Sequence, residues 1–314
     1  MYKEKFDFYD STSLKTYNLD KTMRYQLSIL DRLDPFTKRH SENVGNLCCR
    51  ICQYLRLNKQ FTVHATICGY LHDIGKMFIP KEIIEKPTSL TEDEYEIMKA
   101  HTTLGYKMCI DDLYLRPYAE GPLYHHEALN GTGYPSGLTK KDIPFVAQVV
   151  RVADEYDALV TKRHYTTHVH ISETLKELIK DANPDDYLQG IALEQLSENS
   201  RLGKINPHIL KALFRVVIDD ILYEISCVID YISYLKNNVK RLELIDSYNK
   251  KMNATDKPQK IEYYKEGMQM LLQEGENFSN YLQILKEYQN ALQIRQDRID
   301  ALYNEIKIIK KLKI

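Results

Sequence analysis

The chain has 314 residues, enough for one large hydrophobic core or for one core with an extension. Its 43 Lys and Arg residues nearly balance 44 Asp and Glu residues, so bulk charge does not favour a nucleic-acid polymer or an anionic membrane as partner. The N-terminal sequence MYKEKFDFYD lacks the apolar core of a signal peptide, and the most apolar stretch is interrupted by acidic residues. A soluble, cytoplasmic protein is therefore predicted.

Amphipathic helices joined by short turns account for most of the sequence, which predicts an all-α fold. Residues 1–24 are polar and weakly patterned, and we interpret them as a separate N-terminal segment. Asp34-Pro35 is typical of a helix start. Residues 91–94, TEDE, match a capping box and predict the start of another helix. A further helix is predicted over residues 143–159.

Three cysteines, Cys48, Cys49 and Cys52, lie close together in the sequence and suggest at first a thiolate metal cluster. They recur at helical spacing together with the aliphatic residues between positions 44 and 55. Free cysteine packs well as a small apolar residue. We therefore interpret the three cysteines as core residues.

Apolar residues recur in steps of three and four near the C-terminus, over residues 218–242 and again over residues 285–309. Such spacing is an a/d heptad pattern, which lets helices wrap around each other. The sequence KKMNATDKPQK separates the two series and contains Pro258, which breaks a helix. We predict a long helical hairpin over residues 216–314. It either packs on its own chain as extra core or joins two copies, and the sustained heptads favour a homodimer.

The stretch LHDIGKMFIP contains the adjacent pair His72-Asp73, which offers an imidazole and a carboxylate as metal ligands. A carboxylate can bridge two cations while the histidine binds one of them. Lys76 lies three residues after Asp73, which places both on one helical face. A lysine beside a metal-bound carboxylate is well placed to neutralise a substrate phosphate.

Further histidines and one more aspartate extend this pair to an ordered set. The candidate metal ligands are His40, His72, Asp73, His101, His125, His126 and Asp154. Nitrogen-rich ligands with bridging carboxylates suit Fe, Mn or Zn better than Mg or Ca. The seven candidate ligands are sufficient for two cations. Two cations would lower the pKa of a bridging water, so that it becomes a nucleophile, and would stabilise the charge on a phosphoryl group.

Two of these histidines are adjacent and precede a glycine-rich turn in HHEALNGTGYP, residues 125–135. Neighbouring histidines are awkward in a core because each needs a hydrogen-bond partner or a metal. Glu127 is predicted to orient a ligand imidazole rather than to bind metal. The glycines let the backbone turn sharply over the pocket, where Tyr134 presents an aromatic surface.

Several stretches together resemble the HD-GYP branch of the HD superfamily of metal-dependent phosphohydrolases. They are LHDIGKMFIPKEIIEKP, the helix with Lys99-Ala100-His101, HHEALNGTGYPSGL, IPFVAQVVRVADEYDAL and RHY, all in the family's order and spacing. The resemblance implies a helical HD domain over residues 25–215, and the C-terminal hairpin lies outside it.

The resemblance also implies roles for individual residues. The seven candidate ligands would hold two divalent metals, Fe or Mn, with Asp73 as the bridge. Lys76, Asp157 and Arg163 would contact phosphate and guanine, and Asp157 would shuttle a proton or pair with Arg163. The loop Gly133-Tyr134-Pro135 would lie at the mouth of the site, where it is a proposed docking surface for diguanylate cyclase domains. The implied activity is hydrolysis of cyclic di-GMP by a bridging hydroxide, and some members prefer cyclic GMP-AMP.

The chain departs from the family pattern at several positions. Phe36 stands where some members carry a glutamate ligand, so two metals are expected rather than three. Thr166 stands where a basic residue is usual and Gln148 where an arginine is usual, which thins the basic lining. Two alternatives stay open: a weakly active or non-catalytic receptor that signals through the C-terminal helices, or an HD phosphohydrolase for another phosphoester.

Overall fold

The computed structural model describes residues 28–162, 168, 170–183 and 202–312. The predicted N-terminal segment, residues 1–24, and Arg163 lie outside this part of the chain. Within it, the secondary structure consists of α-helices and short 3-10 turns, and the one β-type pairing is an isolated bridge between Asn130 and Thr139. The predicted all-α fold is confirmed.

The protein divides into two compact units that are built of α-helices. In chain order they are α1 (Pro35–Tyr54), α2 (Lys59–Leu71), α3 (Lys81–Ile84), α4 (Glu92–Asp111), α5 (Glu120–Tyr124), α6 (Phe145–Lys162), α7 (Ile171–Ala182), α8 (Pro207–Asn253), α9 (Pro258–Leu271) and α10 (Tyr281–Lys311). The first unit is Met1–Asp220 with Ile308–Ile314, and the second is Ile221–Lys307. Over the described ranges, no helix has both the length and the apolar character that a membrane span requires.

Two helix starts in the first unit follow the predicted capping patterns. The Asp34 carboxylate accepts hydrogen bonds from the amides of Phe36 and Thr37, at 3.0 and 2.9 Å, and so begins α1. At the start of α4, Thr91 and Glu94 form a capping box, in which each side chain accepts from the other residue's backbone amide. These contacts satisfy amides that have no partner within the helix. They fix where the two helices begin, and each helix carries a predicted ligand.

The core of the first unit forms where α1 packs on α2 and α6 and where α2 packs on α6. Cys48, Cys49 and Cys52 lie here, each at most 2% exposed, as free thiols. Burial raises the pKa of the Cys52 thiol to about 12, so this thiol stays protonated and apolar at neutral pH. The interpretation of the three cysteines as core residues is confirmed.

The second unit contains three helical segments rather than the two of a simple hairpin. The predicted break is present, since α8 ends at Asn253 and α9 begins at Pro258. A second break separates α9 from α10, and in it Gly275 adopts a φ of 82°. This is the left-handed region that glycine enters most easily.

The heptad residues of the second unit are buried within the single chain. Val239 and Leu242 of α8 pack with Met268 of α9 and with Tyr281 and Leu285 of α10. Apolar side chains packed in this way stabilise the unit by removing hydrocarbon surface from water. The heptad pattern therefore supplies core to its own chain, and the homodimer stays a prediction.

Candidate metal centre

The structure brings all seven predicted ligands together from separate elements of the first unit. His40 lies on α1, His72-Asp73 follows α2, His101 lies on α4, His125-His126 follows α5, and Asp154 lies on α6. They form overlapping groups of three whose ligand atoms lie within 4.8 Å of one another. Residues more than a hundred positions apart therefore share one site.

One side of the site, which we call the acidic half, consists of His40, His72 and Asp154. The Nε2 atom of His40 lies 3.0 Å from Asp154 Oδ1 and 3.3 Å from His72 Nε2. The Nε2 atom of His72 lies 3.7 Å from the same aspartate oxygen. Two nitrogens and one carboxylate oxygen thus converge.

The other side, the imidazole half, consists of His101, His125 and His126. The Nε2 atoms of His101 and His125 lie 3.2 Å apart. The ring centroid of His126 lies 5.2 Å from that of His101 and 4.1 Å from that of His125. This half offers three nitrogen ligands and no carboxylate of its own.

Asp73 lies between the two halves. Its Oδ2 atom lies 3.2 Å from His72 Nε2 and 3.7 Å from His40 Nε2. Its Oδ1 atom lies 3.4 Å from His101 Nε2 and 3.9 Å from His125 Nε2. Because each oxygen faces a different half, the carboxylate has the geometry of a bridging ligand.

Three of the imidazoles are held by backbone carbonyl groups in a single tautomer. The Nδ1 atom of His72 donates to Gly69 O at 2.7 Å, that of His101 to Met98 O at 2.6 Å, and that of His125 to Pro122 O at 2.9 Å. A carbonyl oxygen only accepts, so Nδ1 carries a proton and Nε2 points into the site, where it offers a lone pair whenever the ring is neutral. The lone pairs of His101 and His125 then face each other and repel unless a cation binds. This donor set fits a divalent transition metal.

The two halves differ in the protonation of their imidazoles. Burial lowers the pKa of a histidine, but hydrogen bonds to Asp154 and Asp157 outweigh it and raise the pKa of His40 to about 10. The pKa of His72 rises to about 9 against the same effect of burial, because of nearby aspartates. In the imidazole half burial dominates, and the pKa of His126 falls to about 3. Without metal, the acidic half holds protons and the imidazole half is neutral.

Two glycines allow the close backbone approaches that build the site. A Cβ atom on Gly75 would lie 1.9 Å from the carbonyl oxygen of His101. The turn Ile74–Phe78 therefore packs directly on α4 and carries the preceding aspartate to the site. A Cβ atom on Gly133 would lie 2.3 Å from the amide nitrogen of Ala128, so the loop folds back on the segment after α5. Neither position has room for a side chain.

Lys76 and Asp157, both predicted catalytic and substrate-binding residues, make different contacts. The Lys76 amine lies 2.6 Å from Asp73 Oδ2. Asp157 accepts hydrogen bonds from His40 Nδ1 at 2.7 Å and from Asn43 at 3.0 Å, which engages both carboxylate oxygens. Carboxylates in this position orient a ligand imidazole. The structure therefore favours an orienting role for Asp157 over the predicted substrate contact.

Glu127 contacts the loop after it rather than a ligand imidazole. Its two carboxylate oxygens accept from the amides of Ser136 and Leu138, at 2.7 and 2.8 Å. The predicted orienting role of Glu127 is wrong, because these loop amides need acceptors and the three fixed imidazoles already donate to backbone carbonyls. Glu127 holds the loop that contains Gly133, Tyr134 and Pro135.

A cavity of about 500 Å³ opens beside the imidazole half. Its lining includes Lys76, Tyr95, His101, His126, Gly133, Tyr134, Arg151 and Lys204. The Tyr134 ring stacks on His126 with centroids 4.6 Å apart, whereas Pro135 is exposed and is not among the lining residues. The described lining contains three cations and no acidic side chain, which favours an anionic ligand.

Arg151 and Lys204 are absent from the sequence prediction. Arg151 lies three residues before Asp154 on α6, so a search of that helical face would have found it. Lys204 follows a segment outside the described ranges and has no periodic pattern that would identify it. Phe36 is 67% exposed, and the expectation of two metals rather than three stays a prediction.

The comparisons with known proteins agree on one family. The HD domain family matches residues 24–187. A cyclic di-GMP phosphodiesterase of Thermotoga maritima is 39% identical over 158 residues, which is 48% of this chain and 43% of that protein. The cyclic di-GMP phosphodiesterase PdeB of Borreliella burgdorferi is 30% identical over 211 residues, 67% of this chain and 49% of that protein. A 3'3'-cGAMP-specific phosphodiesterase of Vibrio cholerae is 32% identical over 151 residues, 47% of this chain and 34% of that protein. The chain spans about half or less of each relative's length.

Proposed function

The chain belongs to the HD domain family, and from this premise we propose that it is a metal-dependent phosphodiesterase of the HD-GYP type, with cyclic di-GMP as substrate. The observation that carries the proposal is the position of Asp73, whose two oxygens face two separate sets of imidazoles. A site built for a single cation has no need of this arrangement. A site for two cations requires it.

In this proposal the acidic half would hold one cation and the imidazole half the other, with Asp73 as a ligand shared by both. Iron and manganese are the proposed metals because the donors are mostly imidazole nitrogens with shared carboxylates. Two such cations supply a water of lowered pKa and compensate the charge on the phosphoryl oxygens.

The side chains around the metal positions bind and orient. Lys76 lines the cavity beside Asp73 and is placed to neutralise a phosphate oxygen. Asp157 holds the His40 imidazole by its Nδ1 atom, so that Nε2 points into the acidic half. Tyr95 and Tyr134 give the cavity an aromatic surface beside its cations. A nucleotide has a base that can pack on aromatic rings and a phosphate that can pair with cations.

One assay tests the proposal. The protein is purified anaerobically with Fe(II) or Mn(II), bound metal is measured, and hydrolysis of cyclic di-GMP and of cyclic GMP-AMP is followed beside an Asp73→Ala variant. We expect two metals per chain with turnover, and the loss of both in Asp73→Ala. Two bound metals with no turnover of either nucleotide would favour a receptor or a phosphohydrolase for another phosphoester.

Two partners belong to the same proposal. A diguanylate cyclase domain would dock on the loop Gly133-Tyr134-Pro135, and a pull-down with such a domain, compared with a Pro135→Ala variant, tests this. A homodimer through the C-terminal helices would have to use surface other than the apolar residues already buried within the chain. A mass measurement that finds only monomer at high concentration would contradict the dimer.

A further inference from the structure

Two cations line the cavity beyond the metal ligands and Lys76, namely Arg151 and Lys204. We propose that they bind the second phosphate of the cyclic dinucleotide, the one that is not being hydrolysed. This inference rests on the proposed function, since it assigns part of the same substrate to residues that the family resemblance does not name.

Arg151 is held rigidly with donors to spare. Its Nη1 atom donates to the carbonyl oxygen of Glu127 at 3.1 Å, and its Nη2 atom pairs with Glu155 Oε1 at 2.6 Å. A guanidinium has five N–H donors, so these contacts leave others for phosphate oxygens. The side chain is only 12% exposed, and a fixed, poorly hydrated guanidinium binds a phosphate well. Arg151 thus provides a preorganised anion contact.

Lys204 reaches the cavity from a segment clamped by its backbone. Its amide donates to the carbonyl oxygen of Asp181 at 2.7 Å, and its own carbonyl accepts from the amide of Leu129 at 3.0 Å. A Cβ atom on the preceding Gly203 would lie 2.6 Å from the carbonyl carbon of Ala182, so the segment passes tightly against the end of α7. These backbone contacts therefore fix the position of the Lys204 Cα atom.

The side chain of Lys204 has a partner that it can exchange. Its Nζ atom lies 3.0 Å from Asp181 Oδ1, and the two side chains are 36% and 29% exposed. An ion pair between two side chains this exposed to water is weak. A phosphate oxygen in the cavity can therefore compete with Asp181 for the Lys204 amine.

The charge of the substrate requires such a contact. A cyclic dinucleotide carries two phosphodiester groups, and the metal centre with Lys76 accounts for one of them. Arg151 and Lys204 meet this need, and the cavity volume of about 500 Å³ lies in the range of ligand sites.

The test compares a substrate with two phosphates and a substrate with one. KM is measured for cyclic di-GMP and for bis(p-nitrophenyl) phosphate with metal-loaded wild-type protein and Lys204→Ala. We expect KM for cyclic di-GMP to rise by about tenfold more than KM for the single-phosphate ester, a difference of about 1.4 kcal/mol. Lys204→Arg keeps the charge and should restore most of the affinity. Lys141→Ala, at an exposed position outside the lining, is the matched control.

A binding measurement accompanies the kinetics. In calorimetric titration of cyclic di-GMP into metal-free protein, which should not hydrolyse it, Lys204→Ala should bind more weakly and with less dependence on salt, because one cation is lost. Asp181→Asn removes the competing charge and should bind more tightly, an effect that no loss of folding can imitate. Arg151→Lys loses the forked donor and should again raise KM for cyclic di-GMP.

The outcomes separate this inference from the proposed function. Equal changes in KM for both substrates in Lys204→Ala, together with unchanged affinity in Asp181→Asn, would overturn the second-phosphate site alone. Wild-type protein that cleaves the single-phosphate ester but neither binds nor cleaves a cyclic dinucleotide would overturn the proposed substrate and this inference with it.

Discussion

The two halves of the proposed metal centre contain the same number of candidate ligands but have opposite electrostatics. The acidic half surrounds His40 and His72 with aspartates, which raise both imidazole pKa values above the usual range. The imidazole half is buried without a carboxylate of its own, and burial pulls the pKa values of His125 and His126 down. One shared residue, Asp73, contacts both environments.

This difference means that the two proposed cation positions would not be equivalent. A cation in the acidic half replaces protons and is attracted by carboxylate charge. A cation in the imidazole half would meet imidazoles that are already neutral, so it would displace few protons. Selectivity and occupancy of the two positions should therefore respond differently to mutation and to pH.

The largest effect is expected when one half loses a ligand. Asp154→Ala and His126→Ala should each reduce bound metal from two to about one per chain and lower kcat/KM for the cyclic dinucleotide on the order of a thousandfold, because both cations act on one phosphate. Elemental analysis and steady-state kinetics measure this. Asp93→Ala, an exposed acid at the start of α4, is the control. Two metals retained in Asp154→Ala or His126→Ala would contradict the division into halves.

The second effect depends on pH. The pKa values of His40 and His72 are about 10 and about 9 without metal, so below about pH 9 both carry protons that a cation must displace. Metal affinity of the acidic half should rise by up to about a hundredfold per pH unit below about pH 9 and level off only above about pH 10. The histidines of the imidazole half have lowered pKa values and are already neutral, so a cation that binds there should release almost no protons.

Calorimetric metal titrations in two buffers of different ionisation enthalpy count the protons released. About two protons for one cation and near zero for the other is the expected result at pH 7.5. Equal proton release for both cations would show that the halves do not differ in the way the structure indicates.

A smaller loss is expected for Asp157→Asn. The amide cannot hold the His40 imidazole as a carboxylate does, so the metal affinity of the acidic half should fall by about 10- to 100-fold. The imidazole half should keep its cation. Asn43→Ala removes only a neutral contact to Asp157 and should have a much weaker effect. A metal titration that shows both cations weakened equally in Asp157→Asn would contradict the assignment.

Much of the site could be predicted because its residue types are rare and ordered. Seven histidine and aspartate ligands recur at family spacing, and no core requires that combination. The helix starts at Asp34 and Thr91 were also readable, because a cap is a contact between residues two or three positions apart. Contacts of this kind between near neighbours do not depend on how distant segments pack.

The rest depends on contacts between distant segments. The cations Arg151 and Lys204 meet at one cavity only after the chain folds, and neither has a motif. The heptad pattern predicted apolar seams but not the second break around Gly275, because it describes which faces are buried and not what covers them. Glu127 illustrates the same limit, since a carboxylate beside two histidines has several acceptable partners.

The smallest effect is expected for a substitution at Glu127, which tests the loop beside the imidazole half. In Glu127→Gln one of the two loop amides faces an NH₂ group instead of an oxygen, which costs about 1–3 kcal/mol for a buried donor left unsatisfied. The loop with Gly133 and Tyr134 should loosen, so that KM for the cyclic dinucleotide rises a few-fold while bound metal stays at two per chain. Thermal unfolding and steady-state kinetics measure both changes. Loss of a metal in Glu127→Gln would instead mean that the carboxylate orients a ligand, and that the loop contacts are secondary.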